Sequence, residues 1–377
     1  MQKAITALAL VALLAGCSVE SATLGELEPS LEVDSEVSGV VDEQQNEPSR
    51  TIYEIGCDRL ASGELTNMHL ETYRPIVEDI CQEFTLNEEL VEVILSPNVN
   101  REAADFYLKN NVFGLSYWDR YLENGLPVTK IVLMMEDEQE WWRNQLDGLL
   151  VIEPEWFGPT DGGGHCYAAV AEAFCPKAYF GYEGSTAGDF NVLTTMLGSS
   201  LDWDAFRKVV PIHESTHQFH VASGLGHWRY WFVEGQATYF ELAASVLIED
   251  LGVGSWRDEL ANQSPGRDNP RFTATTREEV AEYMRVCDGG GQCDGFRYFG
   301  ASLAHELLVK TFGMDAYFEW NLALASDLPD FDWNGMPESV RNEGAAGFAR
   351  LFEEHFGIEL AKWEQSDYAD YLLENYN

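Results

Sequence analysis

Two histidines four residues apart constrain this chain more than any other feature. Residues 211–220 read Pro-Ile-His-Glu-Ser-Thr-His-Gln-Phe-His. On a helix, His213 and His217 share one face, and both imidazoles can reach a single metal ion at about 2.0–2.1 Å. Glu214, next to the first His, then stands beside the metal rather than on it. A carboxylate is needed there if water is to lose a proton. The chain must therefore supply a helix over 204–222, a third ligand from elsewhere and a core that holds them together. Pro211 suits the entry to that helix, with Asp202 and Asp204 as competing caps.

The core is affordable. Of 377 residues, 45% are hydrophobic and 12% aromatic, enough for one large domain or two small ones. Charge narrows the partners. With 64 acidic residues against 23 basic ones, the net charge is -41, which repels nucleic acid and anionic membranes. Gly162-Gly163-Gly164 and Gly289-Gly290-Gly291 read as loops. Neither runs into the Lys-Ser/Thr of a phosphate loop, so nucleotide binding is not indicated.

The N-terminus reads as a targeting segment. Lys3 precedes an apolar run from Ala4 to Leu14, too short to span a bilayer. Leu14-Ala15-Gly16-Cys17 resembles the lipobox of bacterial lipoproteins. The resemblance implies removal of residues 1–16, acylation of Cys17 and an exported protein anchored by lipid in the bacterial cell envelope, at the outer membrane. Residues 17–50 then form the lipidated Cys and an acidic tether. Its 18–50 stretch has nine acidic residues, Arg50 as its one basic residue and no aromatic, so it cannot bury enough apolar surface to fold. Six other Cys remain, an even number that suggests disulfides in an exported protein. Proximity favours Cys57–Cys81, Cys166–Cys175 and Cys287–Cys293. None forms a CxxC pair, which argues against a cysteine zinc knuckle.

From residue 51 the pattern becomes globular. Tyr73, Val77, Ile80 and Phe84 recur at helical spacing. Val91–Leu95 and Lys130–Met135 read as strands, with a helical stretch between them and another after the second. Beyond 201 the pattern is mostly helical, over 204–222, 234–250, 298–312 and 345–376 in pieces. The fold class expected is α+β: a mixed helix-and-sheet subdomain over 51–200 and a helical subdomain over 201–377.

Residues 231–241 read Trp-Phe-Val-Glu-Gly-Gln-Ala-Thr-Tyr-Phe-Glu. Together with the HExxH pentapeptide, this resembles the gluzincin metallopeptidases, the clan of thermolysin and the aminopeptidase-N family. There a second helix carrying Glu-Gly-x-Ala supplies the third zinc ligand. The resemblance covers about residues 205–377 and implies a zincin (thermolysin-like) catalytic domain. It assigns one zinc per chain to His213, His217 and Glu234, with Glu214 as general base and a peptide or protein as substrate. The small Gly235 and Ala237 suggest close packing of the second helix on the first. The metzincin pattern HExxHxxGxxH fails, since its Gly and last His positions hold His220 and Ser223. His227 has no family spacing behind it.

Several assignments stay open. Arg297-Tyr298-Phe299-Gly300-Ala301 resembles the Tyr-x-Lys-Gly-Ala helix of the aminopeptidase-N family. Tyr298 stands two residues before the Gly rather than three, so it is either the oxyanion donor or a packing residue. Glu241, two turns after Glu234, is either a hydrogen-bond partner behind a ligand His or a solvated carboxylate. His220 either flanks the site or is an ordinary packed residue. Trp228, Tyr230, Trp231, Phe232, Tyr239 and Phe240 read as core before substrate pocket. The Gly-Ala-Met-Glu-Asn signature of aminopeptidase N is absent, which argues against a typical aminopeptidase. The competing functions are a non-catalytic surface binding or assembly protein on the same scaffold and a serine hydrolase using Ser302. The latter lacks the second Gly of a nucleophile elbow.

Overall fold

The computed structural model describes residues 50–67, 69–99, 101–135, 141, 177–179, 191–197, 205–223, 225, 229–248, 272–288, 296–328 and 338–376. The lipobox, the tether to residue 49, both Gly triplets, His227, Trp228, Cys166, Cys175 and Cys293 lie outside them. Among the described residues no helix is long and apolar enough to cross a membrane.

The chain from Arg50 onward opens with α1 (Ile52–Ser62). Thr51 and Glu54 cap it reciprocally: the Thr51 hydroxyl accepts from the Glu54 N–H at 3.1 Å, and the Glu54 carboxylate accepts from the Thr51 N–H at 2.7 Å. This satisfies two donors that a helix start leaves open. Gly63, at φ 74°, ends the helix in the left-handed conformation that Gly adopts without strain. Then follow α2 (Leu70–Ile80), β1 (Val91–Leu95), α3 (Arg101–Asp119) and β2 (Thr129–Met135). A disulfide joins Cys57 of α1 to Cys81 at the end of α2. Cys287 is also disulfide-bonded.

Two strands escape the sequence pattern: β3 (Lys177–Tyr179) and β4 (Asn191–Leu197). The sheet order is β1-β2-β4-β3. β1, β2 and β4 are parallel, with Val91 opposite Thr129 and Thr129 opposite Asn191, while the short edge strand β3 is antiparallel to β4.

The remaining described elements are helices: α4 (Ala205–Ala222), α5 (Tyr230–Val246), α6 (Arg277–Asp288), α7 (Ala301–Phe312), α8 (Met314–Asp327), α9 (Glu338–Phe356), α10 (Leu360–Trp363) and α11 (Ala369–Asn375). Wider π turns occupy Phe296–Gly300 before α7 and Glu364–Tyr368 before α11. The described residues are mostly helical with a small sheet, an α+β arrangement. Pro211 is not at the helix entry: it is the seventh residue of α4. Its missing N–H removes one bond from the ladder, and the packing of α4 on both sides outweighs that loss.

The core is aromatic. Trp118 of α3 stacks on Phe219 of α4, with ring centroids 4.3 Å apart. Trp320 sits among Phe348, Phe352 and Phe356, and Trp363 stacks on Tyr368. Trp231, Phe232, Tyr239 and Phe240 are all buried, which makes them core. Ser302 is buried too, its hydroxyl donating to the Phe299 carbonyl at 2.8 Å. That leaves no exposed nucleophile there.

Candidate metal centre

Helix α4 is held from behind by α3. Gly114 lets the two backbones approach, since a Cβ there would lie 2.5 Å from the Ser215 hydroxyl and 3.2 Å from Ile212. The Trp118 indole N–H donates to the Thr216 hydroxyl at 3.1 Å. Thr216 and Ser215 donate in turn to the carbonyls of Ile212 and Pro211, at 2.8 and 2.6 Å. Ser215 and Thr216, two of the three residues between the histidines, thus anchor the helix, and the other face is left for chemistry.

That face carries His213, Glu214 and His217, and α5 brings Glu234 to it. The Nε2 atoms of the two histidines are 3.1 Å apart. Glu234 Oε2 lies 3.6 Å from His213 Nε2 and 3.5 Å from His217 Nε2. Any point equidistant from three such atoms can come to about 2.0 Å from each, the length of a zinc–nitrogen or zinc–oxygen bond. The three residues form a group that can hold a metal ion, and two imidazoles with one carboxylate suit zinc and leave a fourth position open.

Glu241 is buried, and its Oε2 accepts from His213 Nδ1 at 2.8 Å. This is the carboxylate–histidine pairing that orients a ligand imidazole toward a metal. Gly235 packs elsewhere than its spacing suggests. A Cβ there would lie 2.5 Å from the carbonyl oxygen of Ala301, so the small residue admits α7, not α4. Helices α4 and α5 still touch, and the side-chain contacts between them include the site's own polar groups and the His220–Phe232 ring pair.

The electrostatics follow from burial and crowding. Burial opposes a charged His213, but Glu234, Glu241 and Glu214 around it outweigh that and raise the ring well above the ordinary imidazole range. Burial likewise opposes an ionised Glu234, yet His217 and His213 hold its carboxyl well below the usual carboxylate range. For Glu214 burial wins: despite the two histidines its carboxyl is pushed up, toward the range where a general base works best.

Tyr298 lies in the π turn, half-buried, with its ring centroid 6.3 Å from that of His213. Such widened turns are frequent at functional sites. His220 is fully buried, and its Nε2 lies 2.6 Å from the Gln236 side-chain oxygen. Burial first, and His217 second, hold its pKa well below the ordinary value. The spacing of three from His217 signals that proximity, but nothing local signals Gln236. No family model, curated protein or solved structure matches the chain.

Proposed function

We propose that this chain is a zinc metallopeptidase of the gluzincin type, with a zincin fold in its helical half. Three ligand atoms of His213, His217 and Glu234 converging beside a buried Glu214 carry this reading. Zinc at such a site supplies a Lewis acid that polarises a carbonyl and lowers the pKa of water toward about 7. Glu214 takes the proton from the attacking water and returns it to the leaving amine. Its pKa, raised by burial, makes it a stronger base than an ordinary carboxylate. Glu241 holds the proton on His213 Nδ1, so that Nε2 faces the other ligands. Tyr298, beside His213, donates its hydroxyl to the oxyanion that forms on the substrate. The substrate is a peptide or protein.

The test is elemental analysis of the chain after chelation and zinc reloading, followed by digestion of a broad peptide library. One zinc per chain and turnover are expected. Glu214→Gln keeps zinc and fold and loses at least about 10²-fold in hydrolysis; Tyr298→Phe loses roughly 10²–10³ with zinc intact. A fully loaded parent without turnover points instead to a binding or assembly protein on this scaffold.

The enzyme acts at the cell envelope, held by a lipid on Cys17. Metabolic labelling with a palmitate analogue tags the parent and spares Cys17→Ser. Equal labelling of both rules the anchor out.

A further inference from the structure

Behind His217, away from Glu234, lies a polar network that the proposed chemistry does not use. It joins His220 of α4, Gln236 of α5, His305 of α7, and Tyr317 and Asn321 of α8, all with no exposed surface. Fully buried polar groups at this density are costly unless each is paired, and here each pairing has a direction that can be worked out.

Backbone carbonyls set that direction. His305 Nε2 faces the carbonyl oxygens of Phe232 at 3.0 Å and Trp231 at 3.2 Å. A carbonyl only accepts, so Nε2 carries the proton. Burial pushes the His305 pKa down to about 3, so the ring is neutral and its Nδ1 is an acceptor. The Tyr317 hydroxyl, 2.7 Å away, donates to that Nδ1 and accepts from Gln236 Nε2 at 2.6 Å. Asn321 gives the same orientation independently. Its Nδ2 donates to the Tyr317 carbonyl at 2.8 Å, which turns its Oδ1 toward Gln236 Nε2 at 2.9 Å. Gln236 therefore points its Oε1 at His220, whose Nε2 must be the donor at 2.6 Å. His220 Nδ1 is then a bare lone pair, and it faces His217 Nδ1 at 3.4 Å.

We propose that the relay His305–Tyr317–Gln236–His220 positions His217 by holding its proton on Nδ1, so that the Nε2 lone pair is turned toward His213 and Glu234. The inference rests on the zinc reading above, because it gives that lone pair a metal to bind. The four are positioning residues and none is a ligand. The two ligand histidines are thus backed differently: His213 by the carboxylate of Glu241, His217 by a neutral chain that adds no further negative charge to a site already holding Glu214, Glu234 and Glu241.

Tautomers can be read directly in the full chain labelled with [15N]histidine, from long-range proton–nitrogen correlations, with and without Zn2+. The expected result is His217 protonated on Nδ1, and His220 and His305 protonated on Nε2, in both forms. A proton on Nδ1 of His220 or His305 overturns the relay without touching the zinc reading. Zn2+ affinity, measured by competition with a chromophoric chelator, is expected to fall about 10–100-fold in His220→Phe. His220→Asn, whose side-chain oxygen can accept from His217, recovers most of that loss. Gln236→Leu frees the His220 ring and gives mixed tautomers at His220 and His217. Parental Zn2+ affinity in His220→Phe overturns the positioning role. A parent that binds no Zn2+ yet shows these tautomers overturns it too, and sinks the metal centre separately.

Discussion

Helix α4 meets α3 on one side and α5 on the other, and the two contacts are built from opposite materials. Toward α3 the contact is close and mostly dry: Gly114 against Ser215, Trp118 stacked on Phe219, and one indole-to-hydroxyl hydrogen bond. Toward α5 it is ionisable and hydrogen-bonded, with Glu234 and Glu241 around His213 and Gln236 against His220. The first contact places the helix; the second is where charge is held out of water, at a net cost to the fold unless it is paired. The HExxH pentapeptide contributes to both, the histidines and Glu214 on one face, Ser215 and Thr216 on the other.

That division can be broken by variants on each side. The largest effect on stability is expected on the packing side. Trp118→Ala removes the stacked ring and the donor to Thr216, and should cost about 3–5 kcal/mol in urea unfolding, with Zn2+ affinity of the folded protein nearly unchanged. If zinc binding falls more than stability does, the two faces do not act separately. On the charged side, Glu241→Gln keeps the shape and an acceptor for His213 but loses the charge. It should weaken Zn2+ by about 10–100-fold in chelator competition, with a melting temperature close to the parent's. A silent change would remove Glu241 from the site.

The smallest effect sharpens the comparison through pH. In the metal-free protein the raised His213 pKa stabilises the fold fully below about 6.5, the unfolded value, and that contribution is lost as pH rises through the folded pKa. Glu214, also raised, costs stability in the same direction as pH rises from about 4.3, its unfolded value, to its folded pKa. On the zinc reading the metal would take the place of the His213 Nε2 proton, so uptake would release a proton. The gain in melting temperature on adding Zn2+ should therefore grow with pH up to the raised folded pKa of His213 and level off above it. A gain that is flat or shrinks with pH contradicts the paired charges at this interface.

The legible parts of the molecule are those carried by local spacing. His213 and His217 four apart, the apolar runs of β1 and β2, and the helical periods of α4 and α5 all lie within single elements. Glu234 was reachable because the Glu-Gly-x-Ala segment is itself local. The partners across helices were not. Gly235 admits Ala301, sixty-six positions away by residue number, and no period in α5 distinguishes that neighbour from α4. The relay behind His217 draws on residues 217 to 321, and a buried Gln or Asn reads in sequence like an exposed one. The Trp118 donor to Thr216 is similarly remote. β3 and β4 carry no such signal for a different reason: three residues at 177–179 are too few to show alternation, and Asn191–Leu197 mixes two Thr into its apolar run.

Helix α5 presents successive positions to successive neighbours: the carbonyls of Trp231 and Phe232 to His305, Glu234 to the histidines, Gly235 to Ala301, Gln236 to His220 and Glu241 to His213. All of these depend on the angular phase of a single helix, which advances about 100° per residue. Many of its side chains can drift while the phase is kept. Inserting or deleting one residue between 231 and 241 turns everything beyond it by more than a quarter of a circle and takes apart several of these contacts in one step. Related chains are therefore expected to vary in sequence along α5 and in length almost everywhere else, but to keep the spacing of these eleven positions unchanged.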